Sequence, residues 1–176
     1  MRSFGKLLSC SFALALFVTS AHAAEMSKND TSLQDTLSKI HTVNQNEINM
    51  AKMALEKGQS NQVKSFAQRM IKDHSMADQK VMNLAKQEKL TLTKYPLTAS
   101  EQGQMDQLNA SSGNEFDRLY MEANRKGHDQ ALTMLKDSER QVTDPKAKKL
   151  ISQLIPKVAH HDKLARNIRP EQRPAS

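Results

Sequence analysis

The amino-acid sequence predicts an all-α fold, a four-helix bundle with a crossover between the second and third long helices. Three observations predict it. Ala, Leu, Lys, Gln, Glu and Met dominate the chain and only 5 glycines occur, a composition that favours helix. Four long segments carry apolar residues at helical spacing. A link of about 25 residues separates the second segment from the third.

Residues 1–23 have the pattern of a signal peptide. A positively charged start and an apolar run over 7–19 precede Ala21-His22-Ala23, whose small residues suit signal peptidase. The run has 13 residues, whereas a membrane-spanning helix needs about 20. We therefore expect cleavage before Ala24, export to the periplasm and no integral membrane span, with an uncleaved anchor as the alternative.

The remaining residues suffice for one domain with its own core. We expect a short linker over 24–30, the helical domain over 31–168 and a disordered tail over 169–176, where two prolines fall. Cys10 is lost with the signal peptide, so the mature chain can form no disulfide or zinc–thiolate site. The net charge falls from +7 to +5 on cleavage. This charge is spread along a chain without tryptophan, a pattern that gives nucleic-acid binding little support.

The first two predicted helices cover residues 31–57 and about 61–89. Gly58 ends the first, and Ser60 is a plausible N-cap for the second. In the link, Tyr95-Pro96 interrupts helix, and Thr98 with Glu101 forms a capping box that opens a short helix ending near residue 108.

The third long helix is predicted to start near Gly113, and Asp144-Pro145 marks the start of the fourth. Pro156 is expected to kink or locally break that last helix. The short loops after helices one and three make each pair antiparallel. The long link can cross a bundle of about 40 Å, as ferritin-like bundles with one crossover require. A plain up-down-up-down bundle is the alternative.

Four polar residues lie on the apolar stripes, one on each helix: Glu47, His74, His128 and His161. Buried imidazoles and carboxylates need partners. Three imidazoles and one carboxylate suit a transition metal ion such as zinc, copper or iron. The alternative is a structural polar layer in which Glu47 holds a charged histidine and Asn44 and Tyr120 complete the hydrogen bonds.

Neighbouring polar residues are expected to stay outside this layer. Asp117 lies about 16 Å along the helix from His128, and we expect it to favour the first turn of its own helix. Asp73 points away from the stripe and is expected to be solvated, and His160 to be exposed. The position of His41 is ambiguous.

The sequence gives less support to a di-iron centre, a methionine-based copper site or a catalytic site. The di-iron bundles use Glu-x-x-His motifs, and the residues three before His74, His128 and His161 are Ile71, Arg125 and Val158. Nine methionines remain after cleavage, but methionine on an apolar stripe is more often core filler than a copper ligand. No phosphate-binding loop or Gly-x-Ser-x-Gly elbow occurs in the sequence, so no catalytic motif indicates an enzyme.

Several motifs occurring in order resemble one family. They are Phe66 to His74, Glu115 to Tyr120, Gly127-His128, and Leu154-Ile155-Pro156 followed by His161. Together they resemble the secreted, ferritin-like bacterial family known as domain of unknown function 4142, over about residues 33–165. The resemblance implies an exported four-helix domain without an established activity. The positions it carries over are Glu47, Asp73, His74, Phe116, Asp117, Tyr120, His128 and His161.

Two departures from the family pattern concern Ile155 before the proline and Gln87 to Lys89, where a glycine is usual. The leading hypothesis is a periplasmic binding or stress-related helical domain of unknown activity, with Glu47, His74, His128 and His161 as candidate metal ligands. A structural or interaction module of the cell envelope without metal is the second, and an enzyme the third.

Overall fold

Four long helices and one short helix make up the part of the chain that the structure describes. In this computed structural model the backbone is described over residues 17–169 and the side chains over 32–169. The helices are α1 (Phe17–Lys57), α2 (Asn61–Gln87), α3 (Ala99–Ala110), α4 (Gly113–Gln141) and α5 (Pro145–Asn167). No strand occurs over residues 17–169, where an isolated parallel bridge joins Gly58 and Gly113. None of these helices is long and apolar enough to cross a membrane.

The predicted crossover is confirmed by the two apolar clusters of the core. At one end of the bundle Leu33, Leu37 and Ile40 of α1 pack with the end of α2, the end of α4 and the start of α5. At the other end, the last part of α1 packs with the start of α2, the start of α4 and the end of α5. Helices α2 and α4 therefore run parallel, and residues 88–112, with α3 among them, return along the bundle.

The helix starts in the second half of the chain follow their predicted signals. Thr98 and Glu101 form the complete capping box of α3. Asp144 accepts a hydrogen bond from the Ala147 amide at the start of α5. Pro156 does not break α5, which is continuous from Pro145 to Asn167. Since Pro156 and Ser152 are both exposed, water can reach the Ser152 carbonyl that loses its helical partner.

Helix α2 ends at Gln87 rather than Lys89. The Leu90 amide donates back to the Ala85 carbonyl and the Lys89 amide to the Lys86 carbonyl. Lys89 takes a left-handed φ of 56°, the conformation in which a helix usually ends on glycine. The family usually has a glycine here, and in this chain Lys89 adopts the same helix-ending conformation.

Helix α1 begins earlier than its apolar stripe predicted, at Phe17. Its backbone is helical through residues 24–30, where a linker was expected, because this stretch is rich in Ala, Glu, Met and Lys and has no Gly or Pro. The predicted signal peptide stays a prediction, since residues 1–16 and the side chains of 17–31 lie outside the described residues. Most of the predicted tail, 170–176, lies outside them as well.

The sequence suggested that Asp117 stabilises the first turn of its own helix. In the structure its carboxylate instead accepts hydrogen bonds from amides at the start of α2. Its carboxylate is fully buried and accepts hydrogen bonds from the Ser60 amide at 2.7 Å and the Gln59 amide at 3.2 Å. Gly58 leaves the room for it, because a Cβ there would lie 2.7 Å from the Asp117 Oδ1 atom. The carboxylate thus satisfies free amides at an N-terminus and ties the α1–α2 turn to α4.

We expect Asp117→Ala to lower the free energy of unfolding by about 1.5–3 kcal/mol, the range for a hydrogen bond to a charged group. Urea denaturation of both proteins measures the change. Asp106→Ala, which removes an exposed carboxylate from α3, is the matched control and should leave the free energy unchanged. Equal stability of Asp117→Ala and the parent would contradict the capping role.

Candidate metal centre

A polar layer crosses the middle of the bundle between the two apolar clusters. It is buried on every side and draws on all four long helices. Its members are Asn44, Glu47, His74, Asn124, His128 and His161. The four residues that the helical period predicted to face inward, Glu47, His74, His128 and His161, are therefore all buried.

His74 has one ring nitrogen engaged by protein. Its Nδ1 atom lies 2.8 Å from the Asn44 Oδ1 atom. An amide oxygen can only accept, so the His74 Nδ1 atom carries the proton and the Nε2 atom keeps its lone pair. That Nε2 atom is buried and has no hydrogen-bond partner among residues 32–169.

His128 and His161 repeat this arrangement with different acceptors. The His128 Nδ1 atom donates to the Asn124 carbonyl at 2.7 Å, and the His161 Nε2 atom donates to the Asp73 Oδ2 atom at 2.9 Å. The remaining nitrogens, Nε2 of His128 and Nδ1 of His161, are buried without a partner within the described side chains. Each ring is thus held in a fixed orientation and tautomer by an acceptor outside the cluster.

The three imidazoles converge. One nitrogen of each ring lies within 4.8 Å of one nitrogen of each of the others. The ring centroids are 5.4 Å apart for His74 and His161, 5.6 Å for His128 and His161, and 5.9 Å for His74 and His128. They border a cavity of about 30 Å³, roughly the volume of one water molecule. A single ion fits this space, and imidazole nitrogens bind zinc at about 2.0–2.1 Å.

Burial disfavours the charged form of two of the three rings, His74 and His161. It lowers the pKa of His74 from 6.5 to about 3, assisted by the neighbouring His128 and His161. Burial also lowers the pKa of His161, although the hydrogen bond to Asp73 opposes this change. Metal ions bind the neutral form of imidazole, so protons compete little for His74 near neutral pH.

Glu47 lies on the wall of the same cavity but is not part of the group of three converging donors. Burial raises the pKa of its carboxyl group, and His128 partly opposes this rise. Its Oε2 atom and the nearby Tyr120 hydroxyl have no partner among the described residues. Gly127 leaves room for the carboxylate, because a Cβ there would lie 3.2 Å from the Glu47 Oε1 atom. Ligation by Glu47 stays a prediction.

The family model for the domain of unknown function DUF4142 matches residues 18–168. The chain belongs to the DUF4142 family. No curated protein matches the sequence.

Solved structures show that this DUF4142 chain shares its fold with two other proteins. CopM in its Cu(I)-bound form is 20% identical, with a TM-score of 0.65 over 77% of this chain and 93% of that chain. The Cu(II)-bound form of CopM gives 0.66 at the same identity and coverage. A secreted DUF305 protein from Streptomyces coelicolor is 13% identical, with a TM-score of 0.65 over 84% of this chain and 98% of that chain.

Around the three histidines of this DUF4142 chain, some neighbouring residues lie where the sequence predicted and others do not. Asn44 joins the network as expected, and His160 is exposed. The prediction that Asp73 is solvated was wrong, because it turns toward α5 and reaches His161. His41, whose position was ambiguous, bonds to the buried carboxylate of Asp78 at 2.6 Å.

We expect the metal-free protein to lose stability as pH falls from 6.5 toward 3, because His74 has a pKa of about 3 in the fold. In this window the unfolded chain binds a proton that the folded chain excludes. One such group contributes a slope of about 1.4 kcal/mol per pH unit. Glu47 contributes with the opposite sign, since stability from a raised carboxyl pKa is lost as pH rises through it.

The His74 contribution is isolated by comparing the parent with His74→Gln in chelator. Urea denaturation at several pH values between 4 and 6.5 should give a shallower slope for this variant. His160→Gln, which changes an exposed neighbour of the site, should keep the parent slope. Identical slopes for the parent and His74→Gln would refute the prediction.

Proposed function

We propose that this chain is an exported helical protein that binds one transition metal ion, copper in preference to zinc or iron, through His74, His128 and His161. The predicted signal peptide would take it to the periplasm. There it would hold the ion in the centre of the bundle, with Glu47 beside the ligands.

The observation that carries the proposal is the convergence of three buried histidines, each of which has one ring nitrogen without a partner among the described residues. A closed structural layer would pair these atoms with protein groups, because an unpaired buried polar atom costs about 1–3 kcal/mol. In this layer one nitrogen of each ring is held by a protein acceptor, and the other nitrogen has no partner among the described residues. Metal-binding histidines generally have this pattern, with the second nitrogen donating to a carbonyl or carboxylate.

The donor chemistry favours copper. Imidazole binds zinc, copper, iron and nickel, and among divalent ions copper binds a given nitrogen site most tightly. CopM, which has the same fold, is known in Cu(I)-bound and Cu(II)-bound forms. At 20% identity this similarity supports a shared fold and nothing further. The choice of copper therefore rests on the donor chemistry, and it can be tested directly.

We expect the purified mature protein to bind one equivalent of copper, and His74→Ala, His128→Ala and His161→Ala each to weaken binding severely. Competition with a chelator of known affinity measures the dissociation constant, and elemental analysis gives the stoichiometry. His160→Ala is the matched control because it removes an exposed histidine next to His161. Absence of bound metal in the parent, with the histidine variants merely less stable, would leave the structural or interaction module as the function.

Asp73 offers a second test because it orients His161 without being a ligand. Removing such an outer partner typically costs 10–100-fold in metal affinity. We expect Asp73→Asn to lower copper affinity by about that factor. Asp137→Asn, on the exposed end of α4, should have no effect. Unchanged affinity in Asp73→Asn would show that the His161–Asp73 contact does not support binding.

A further inference from the structure

A groove on the surface of the bundle runs between α1, α4 and the crossover segment. Its volume is about 340 Å³, roughly ten times that of the histidine cavity. Residues 95–98 form one wall, and α3 contributes Glu101, Gln104 and Met105. Metal binding by the histidine cluster does not by itself require this groove.

The crossover segment is fastened on both sides of the groove. The Thr93 amide donates to the Ser38 hydroxyl at 3.1 Å, and the Tyr95 amide donates to the Thr42 hydroxyl at 3.0 Å. Beyond the groove, Leu108 is buried in the apolar cluster at the start of α4. The wall over the groove is therefore held in place by α1 before it and by α3 after it.

Only one layer of side chains separates the groove from the histidine cavity. Four residues line both spaces: Val43, Glu47, Ala131 and Met134. Glu47 is the acidic member of this shared wall, and it lies close to Gly127, which also lines the groove. Passage of an ion from the groove to the cluster would therefore have to cross this wall.

The groove has the chemistry of a path for soft cations. Three half-buried methionines line it, each from a different helix: Met50, Met105 and Met134. Thioether sulfur is a soft donor that favours Cu(I). Two carboxylates, Glu47 and Glu101, also line it, and the charge of its one lysine, Lys39, is countered by Asp35 at 2.7 Å.

The opposite side of the cavity is less favourable to a cation. There Lys157 lines the cavity, and Asp73, which lines it as well, already accepts the proton of His161. A cation approaching between α2 and α5 meets a positive charge, whereas one approaching beneath the crossover meets acidic side chains and sulfur.

We propose that the groove beneath the crossover is the route by which Cu(I) enters and leaves the histidine cluster, with Met50, Met105 and Met134 as transient donors. This inference rests on the proposed function, because it requires that the cluster binds copper. The methionines set the rate of exchange, and the histidines set the affinity.

The test measures the rate of metal loading by the metal-free full chain. Cu(I) is delivered from a weak chromophoric chelator in a stopped-flow instrument, and the final equilibrium gives the affinity. The triple variant Met50→Leu/Met105→Leu/Met134→Leu keeps the volume and removes the sulfur. The matched control is Met76→Leu/Met82→Leu, which changes the two exposed methionines on α2.

We expect the triple variant to load Cu(I) at least about tenfold more slowly, because the soft thioether donors that favour Cu(I) are gone, with an unchanged dissociation constant. Zn²⁺, which needs no thioether, should load at the parent rate. The control variant should load Cu(I) like the parent. Leu97→Trp, which fills the groove from the crossover side, should slow both ions while circular dichroism shows an intact fold.

Three results would overturn the inference. Parent-like Cu(I) loading in both the triple variant and Leu97→Trp would place the route elsewhere. Loss of affinity at an unchanged loading rate would make the methionines ligands of a holding site. Failure of the parent to bind copper at all would remove the proposed function and this inference together, whereas in the first two results the parent still binds.

Discussion

The bundle depends on holding three imidazoles in a fixed orientation in the centre of its core. Burial there is nearly complete, and it suppresses protonation of His74 strongly. Each ring is fixed by one acceptor-only partner: an amide oxygen for His74, a backbone carbonyl for His128 and a carboxylate for His161. Apolar residues in these positions would pack more favourably, since buried polar groups cost free energy unless they are paired.

The crossover topology supplies the donors for this centre. Since α2 and α4 run parallel and α1 and α5 run the other way, one turn from each of the four helices meets in one layer. His74, His128 and His161 come from α2, α4 and α5, and Glu47 comes from α1. The same topology requires a segment that returns along the bundle beside α1 and α4, and that segment forms the wall of the methionine-lined groove.

Much of the fold and the inner part of the site could be predicted from the sequence because both follow from helical periodicity. The stripe that placed apolar residues inward also placed His74, His128 and His161 inward. The family resemblance, which the match over residues 18–168 confirms, added the expectation of an exported domain. The early start of α1 was missed because the prediction followed the apolar stripe, which begins after residue 30.

The outer residues could not be predicted, because they act between helices that are distant in the chain. Asp73 is off the stripe of α2, and only the packing of α2 against α5 brings it to His161, 88 positions away. Asp117 satisfies amides 57 and 58 positions earlier, at the turn between α1 and α2. Sequence spacing within one helix contains no information about such contacts, although the resemblance did single out both aspartates.

The division of the three histidines between two helical hairpins has a mechanical consequence. His74 belongs to the α1–α2 hairpin, and His128 and His161 belong to the α4–α5 hairpin. Neither half contains three donors, so a ligand bound by all three acts as a cross-link between the halves. In a chain cut within the crossover, such a ligand would hold the two halves together in addition to the apolar clusters that they share.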